Sequence, residues 1–440
     1  MSPSIGVRLE NAPARVGSVR PSALRIPSAI GGLLGFVMAS NTALERFGLT
    51  VGSNAVDLSL FAIYALILGL TLLGYATLSR TRLLLYLMGG VVACISYWLN
   101  AWANPSMPPS VASLVLLLVL YFPCTLVIKE NRQSFPIAQF AIDAYLSATF
   151  ICAIAGIAQF FLQFVIHNPL LFNFTPLIPP SLRSGTNVNT VIQAGRFVKS
   201  NGFFMREPSG FSLSMSLGLQ LEYSERRRTR RIVCYALGLL LSYSGTGLLA
   251  LILGSMFPVN LKVLRRFIVL GLTGVVIFVL LSPFLDLSFT LNRITEFNNQ
   301  GTSAHARYLA PFGVLAATYD DTPWALAIGH GPGAMTRAIA TTFYSHDPTW
   351  AKLLHEYGVA GFVLFVSLAI TTLNNRHLAL SVRATLFFGW LIMGGHLLSP
   401  VMSAPLMVTL AGLSPRGSDR GQSNRPSVLR YPSNVGFSRP

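Results

Sequence analysis

Arg183, Arg196, Lys199 and Arg206 crowd into residues 167–208, where the only acid is Glu207. Such a cluster can grip an anion, because a guanidinium forks two parallel hydrogen bonds to a phosphate and stays protonated. Arg206 has the strongest claim. It opens Arg206-Glu207-Pro208-Ser209-Gly210 at the start of an apolar stretch, where the first amides of a helix also favour negative charge. For Arg183, Arg196 and Lys199 the ordinary alternative is pairing with loop acids or lipid phosphates.

A second group able to do chemistry lies in residues 286–355 and at their edge: Arg307-Tyr308, Gly329-His330-Gly331-Pro332-Gly333, His346-Asp347-Pro348 and Glu356-Tyr357-Gly358. With an ordinary pKa of about 6.5, His346 can serve as a general base at neutral pH once an acceptor hydroxyl comes within hydrogen-bond reach. Glu356 and Asp347 are placed to orient it, or else to balance Lys352 and nearby arginines. A histidine beside a turn is also a common surface residue, and His305, His330 and His355 compete for the same role. The glycine segment makes a poor nucleotide signature, since Pro332 interrupts it and no Lys-Ser/Thr follows. It reads as a tight turn. Histidine spacing matches no H-E-x-x-H pattern, and Cys94, Cys124, Cys152 and Cys234 all fall in apolar runs without C-x-x-C spacing, so neither a metal site nor a disulfide framework is expected.

The elements that must position these groups belong to a membrane domain. Only 11% of the 440 residues are charged and 52% are hydrophobic, against about 25% charged in a soluble protein, which excludes a disordered chain and almost any soluble enzyme. Crossing a bilayer takes roughly 20 apolar helical residues, and the runs 58–78, 83–103, 109–128, 138–166 and 267–285 meet that directly. Shorter candidates are 26–40, 209–223, 356–373, 384–398 and 400–413. Arg-rich connectors resist translocation. Placing Arg80 and Arg82, Lys129 to Arg132, Arg226 to Arg231, Lys262 to Arg266 and Arg376 to Arg383 together on the cytoplasmic side requires the run 232–258 to split at Ser242-Tyr243-Ser244-Gly245-Thr246-Gly247. Two glycines and three hydroxyls there can break a helix and satisfy the freed backbone.

The expected fold is therefore an all-α polytopic membrane protein with twelve crossings and both termini cytoplasmic. Residues 1–25 form a retained basic tail, 26–413 the membrane domain and 414–440 a second basic tail. The long external loops 167–208 and 286–355 are rich in aromatic residues and are expected to fold over the bundle mouth, with short helices such as 303–319. The net charge of +17 then reads as an orientation signal. Nucleic acid is not an expected partner, since the arginines are scattered among the connectors instead of forming one stripe.

Phe203-Phe204-Met205-Arg206-Glu207-Pro208-Ser209-Gly210 opens a span, Ser242 to Leu249 splits a hairpin, Arg307 precedes Gly329-His330-Gly331, and His346 is followed by Leu354-His355-Glu356-Tyr357-Gly358-Val359-Ala360-Gly361. In this order the motifs resemble the O-antigen ligase and polymerase family, bacterial inner-membrane enzymes acting on lipid-linked glycans, across about residues 58–410. The resemblance implies a GT-C-like helical glycosyltransferase that takes its donor glycan from undecaprenyl pyrophosphate at the periplasmic face, without cofactor, metal or nucleotide sugar. By that analogy Arg206 and Arg307, with Arg196 and Lys199 near them, hold the pyrophosphate. His346, with Glu356, deprotonates or positions the acceptor hydroxyl. Implied partners are the lipid-linked glycan, the bilayer, a flippase and a chain-length regulator. Many relatives carry Asn after the loop histidine, where this chain has Asp347.

Polymerisation of a surface or secreted polysaccharide is the favoured reading, with ligation to lipid A core or protein second. A transporter or flippase is the alternative from another class. Transporters show repeated halves and ionisable groups near the midplane, whereas the spans here offer chiefly Asp143 and His396 and no convincing repeat. Reporter fusions after residues 190 and 325 are expected to register the periplasm, and one after residue 263 the cytoplasm; the reverse pattern would overturn this topology.

Overall fold

The computed structural model describes residues 30–38, 40, 44–51, 54–128, 134–183, 192–193, 197–261, 263–265, 268, 272, 299, 302–318, 324–342, 345–374, 378–393, 395, 397–399 and 404–407. Both basic tails, nearly all of the expected span 267–285, Arg196 and His396 lie outside the described residues. The described chain is mostly helical. In order come α1 (30–38), α2 Leu58–Leu72, α3 Arg80–Ala103, α4 Val111–Tyr121, α5 Ser134–Leu162, α6 Pro208–Leu221, α7 Thr229–Leu241, α8 Gly245–Ser255, α9 Ser303–Tyr308, α10 Ala310–Thr318, α11 Ala325–Ile328, α12 Ala334–Thr342, α13 Thr349–Leu373, α14 Leu380–Ile392 and α15 Ala404–Met407. Three helical segments, Arg80–Ala103, Ile137–Leu162 and Thr349–Leu373, are long and apolar enough to cross a membrane.

The structure adds strands that the apolar periodicity does not announce. Antiparallel pairs join β1 Gly48–Val51 to β2 Asn54–Asp57, β3 Ala76–Leu78 to β4 Leu126–Ile128, and β5 Ile192–Gln193 to β6 Phe197–Val198. Two expected spans are shortened by them. The run 58–78 leaves its helix at Leu72 and turns through Gly74 into β3, and the run 109–128 leaves its helix at Tyr121, where Pro123 enters a 3-10 turn before β4. Proline has no N–H to continue an α-helical ladder.

Side-chain register gives the direction of each helix. Arg82 reaches the Thr372 carbonyl while Ser96 reaches the Glu356 carbonyl, so α3 and α13 run antiparallel. Helix α5 runs with α7, through Arg231 to Ser147, Tyr235 to the Leu146 carbonyl and the Phe160 ring against Tyr243. Helix α6 runs against both, with Gly218 facing Thr149 and Tyr235 while Gly156 faces Phe211. Helix α8 runs with α6: the Gly247 amide donates to Ser212 Oγ at 3.0 Å, and further along Gln220 Nε2 donates to the Leu251 carbonyl at 3.4 Å. The 232–258 run therefore reverses between Leu241 and Gly245, as the charge argument required.

These registers gather Arg80, Arg82, Arg226 to Arg231 and Arg383 at one end of the bundle, here the basic end. Residues 44–47, the described residues of 167–206 and 302–348, residues 242–247 and the first turn of α6 meet at the other, the site end.

Burial is inverted relative to a water-soluble helix. On α3 the outward stripe is Leu84, Leu87, Met88, Val91, Ile95, Trp98 and Trp102, all exposed, while Arg82, Ser96 and Asn100 are buried. An apolar face this size in water would be an association site; against lipid it needs no cover, and the polar groups must face inward. At the basic end, buried Glu222 takes two bonds from Arg228 (2.6 and 2.9 Å), and Asp143 takes two from Arg226 (2.8 Å each). Asp143 therefore closes a pair near the start of α5.

Gly247 sets the approach of α6 and α8. A Cβ there would collide with the Ser212 backbone and side chain. Gly247→Val is expected to cost about 1–3 kcal/mol through overpacking and lower the melting temperature in detergent. Gly245→Ala, where a Cβ meets nothing within 4 Å, is expected to stay within about 0.5 kcal/mol. Equal melting temperatures for the two variants would contradict this packing.

Candidate functional site

Arg206 ends the loop that precedes α6, and Pro208 starts that helix with a ring already set for helical φ. Its side chain is one-tenth exposed, and Glu45 holds it at two points: Oε1 lies 3.1 Å from Nε, and Oε2 accepts the Arg206 backbone amide at 3.2 Å. Burial holds the Glu45 carboxyl above the usual carboxylate range, although the Arg206 charge and hydrogen bonds offset part of the rise. The neighbouring Arg46 is almost fully buried. It donates to the carbonyls of Phe172 (2.9 Å) and Met205 (2.6 Å), and its guanidinium lies 4.4 Å from the centre of the Phe174 ring. Arg46 thus ties both ends of the 172–205 loop to the turn that carries Glu45.

Arg307, on the short helix α9, connects three segments. Its Nη1 donates to Thr246 Oγ1 at 2.5 Å and its Nη2 lies 3.6 Å from Glu207 Oε2, which also accepts the Ser209 hydroxyl at 2.7 Å. Thr246 is the second residue of α8, in the glycine-rich segment where the chain reverses. That segment therefore has a second use besides reversing the chain: its hydroxyl orients Arg307, and the first amides of α8 point the same way as those of α6, since the helices are parallel. Unsatisfied helix N-terminal amides and the helix dipole favour an anion there.

His346 joins this group through the backbone. Its amide donates to the Ala306 carbonyl at 2.8 Å, and Ser345 Oγ donates to the same oxygen at 3.3 Å, which sets His346 beside Arg307. Burial lowers its pKa below the usual 6.5, the Arg307 charge lowers it further, and Glu207 and Asp347 oppose both. At pH 7 the imidazole is neutral, the form that can accept a proton. Tyr308, next to Arg307, reaches Met393 Sδ at 3.6 Å and so fastens α9 to the end of α14.

Arg206, Arg307 and His346, widely separated in the chain, come together at the site end. Glu356 is used differently. It is fully buried, its carboxylate lies 4.0 Å from Lys352 Nζ, and the amides of Gly333 and Met335 at the start of α12 face it. With no exposed surface, Glu356 takes an anchoring position against Lys352 and the start of α12. Asp347 likewise takes Lys352 Nζ at 2.6 Å, the balancing alternative. Arg183 is spent on the Ile178 and Pro176 carbonyls. Lys199 is buried at the end of β6, just before the Ser200 that docks on Gly156 and Gln159 of α5.

The Gly329–Gly333 segment is a docking turn. Helix α13 breaks at Gly358 (φ 63°, ψ −169°), a conformation open essentially to glycine alone, and Gly329 opposite has φ 79°, ψ −178°. A Cβ on either would strike the other's backbone segment. The carbonyls of His355 and Glu356, released from the helical ladder by the break, accept the amides of His330 (2.8 Å) and Gly331 (3.1 Å), and Ser96 adds a bond to Glu356. This closes the backbone accounting that a buried helix break demands.

Sequence reasoning missed Glu45, Arg46 and the pairing role of Thr246. A signal existed for Arg46, which lies in a short segment between two apolar runs on the outer side of the expected topology, where a basic residue is as anomalous as those in 167–208. Among the described residues, no group of three or more His, Cys, Asp or Glu could hold a metal ion. Compared with family models and with curated proteins, the chain has no match. Lys352→Met, which strips the buried counter-charge from Asp347 and Glu356, is expected to cost about 3–5 kcal/mol, read as loss of the monodisperse peak in detergent. Adding Asp347→Asn and Glu356→Gln is expected to restore that peak, and a triple variant no better than Lys352→Met would refute the pairing.

Proposed function

We propose that this chain is a bacterial inner-membrane glycosyltransferase that polymerises oligosaccharide repeats carried on undecaprenyl pyrophosphate, working at the periplasmic face without a metal. The observation that carries the reading is the meeting of Arg206, Arg307 and His346 at the end of the bundle opposite Arg80, Arg82, Arg226 to Arg231 and Arg383. If those connectors are retained in the cytoplasm, the site end faces the periplasm, the bundle makes twelve crossings in a GT-C-like arrangement, and both tails are cytoplasmic.

In the proposed reaction the acceptor sugar's hydroxyl oxygen attacks the anomeric carbon of the donor, the bond from that carbon to the pyrophosphate oxygen breaks, and the hydroxyl proton passes to His346. Negative charge accumulates on the departing diphosphate. Arg206 and Arg307, held by counter-ions and aided by the amides opening α6 and α8, stabilise that charge in a site with little water. Attack from the face opposite the leaving group inverts the anomeric centre. His346 contributes a neutral imidazole because burial and Arg307 both disfavour its protonated form.

Arg206→Ala, Arg307→Ala and His346→Ala proteins are expected to insert normally and to lose polymer in a strain deleted for the gene, a fall of about 100-fold or more if each group acts in the transition state. Wild-type polymer yield from all three would defeat the assignment. Turnover is expected to hold as pH falls to 6.5 and to drop only below it, because protonation of a base with a lowered pKa begins later; an acid limb above pH 6.5 would exclude His346 as the base. In the deletion strain, loss of long chains with one repeat still on core marks a polymerase. Accumulated long lipid-linked chains would mark a ligase instead.

A further inference from the structure

We infer that Glu45 is the positioning residue for Arg206, a role that rests on the donor reading above and adds to it a residue outside every motif that suggested that reading. The two acids that meet arginines at the site end are built differently. Glu207 is one-third exposed, meets Arg307 only at 3.6 Å and shares Oε2 with the Ser209 hydroxyl. An incoming phosphate can displace it. The Glu45 side chain is 13% exposed and bonds two atoms of one residue, Nε and the backbone amide of Arg206, at 3.1 and 3.2 Å. A Cβ added at Gly210 in the first turn of α6 would lie 3.9 Å from Glu45 Oε2, so the carboxylate is wedged between the arginine and the helix start.

Two-point attachment fixes more than the ion pair. Holding Nε together with the main-chain amide constrains the whole length of the side chain, so the guanidinium is offered in one direction without the entropy loss of ordering a free arginine on each binding event. Glu45 also offsets charge. Arg46, Arg206 and Arg307 lie within one small region, and Arg46 is nearly water-free; without Glu45, the guanidiniums of Arg46 and Arg206 would repel in poorly solvated surroundings. Arg46 itself carries the loop through Phe172 and Met205, which leaves Glu45 to act on Arg206. A carboxylate repels phosphate, so Glu45 works through the arginine and does not touch the donor.

The test uses full-length protein in nanodiscs, with glycan-free undecaprenyl pyrophosphate and undecaprenyl monophosphate as binding probes and the glycan-loaded lipid as donor. Wild type is expected to bind the diphosphate more tightly than the monophosphate. Glu45→Gln, whose single carbonyl oxygen cannot replace both carboxylate oxygens, is expected to lower the melting temperature through the unbalanced Arg46 and Arg206 charges, yet at a temperature where it stays folded to bind undecaprenyl pyrophosphate within about threefold of wild type and lose about tenfold or more in kcat, as misplacement of a binding group does. Glu45→Asp is expected to regain part of that kcat, and Glu45→Gln combined with Arg206→Lys to be no worse than Arg206→Lys alone. Wild-type kcat in Glu45→Gln, or a loss of rate that only tracks a lowered melting temperature, overturns the positioning role. Failure of the wild type to distinguish diphosphate from monophosphate overturns the donor reading, and this role with it.

Discussion

A charge carried into apolar surroundings must keep a partner, since the desolvation cost of a lone ion there exceeds most of what packing returns. That constraint orders this protein. Among the described residues, acids meet bases at the two ends of the bundle, Glu222 with Arg228 and Asp143 with Arg226 at one, Glu45 with Arg206, Glu207 with Arg307 and Asp347 with Lys352 at the other, while the buried Arg46 and Arg82 are held by backbone carbonyls. Between the two ends the helices are apolar outward and small or hydroxylated inward, as in the Ser212, Ser216 and Gly247 contacts that bring α6 against α8.

The two ends use similar chemistry for different purposes. Arg226 and Arg228 at the basic end grip their acids with short, two-point bonds between neighbouring helices, a geometry suited to holding elements in register. At the site end, one pair is short and enclosed while the other is long and open to solvent, and a neutral histidine stands beside the looser arginine. Irregular backbone is concentrated here as well: Phe203 and Tyr243 adopt positive φ without being glycine, and Gly329 and Gly358 cross at close range. Strained backbone persists only where surrounding contacts over-determine it. The paired glycines and the Arg46 bonds to Phe172 and Met205 supply such contacts on both sides of the arginine pair.

Much of the architecture was legible as pattern. Long apolar runs announced α3, α5 and α13, and the demand that arginine connectors share one side located the reversal at Ser242 to Gly245, which the α6 register with α7 and α8 bears out. The end of α2 at Leu72 and the short strands that follow were not legible, because β3 and β4 are as apolar as the helices they end and pair only with each other. Arg206, Arg307 and His346 stood out by residue type against apolar surroundings. Glu45 did not: one acid next to one arginine at the edge of an apolar run carries no signal until Arg206 is beside it.

By itself the sequence determined what depends on composition and period: helices with inverted polarity, the sorting of basic connectors, the positions where glycine and proline interrupt a ladder, and which side chains could bind an anion or accept a proton. Tertiary structure decided which of those side chains meet. The neutral state of His346, the confinement of Glu356 to α12 and Lys352, and the two-point hold on Arg206 all arise from contacts between residues far apart in the chain. Local pattern cannot encode them, because burial and charge proximity are properties of the packed arrangement and not of any segment within it.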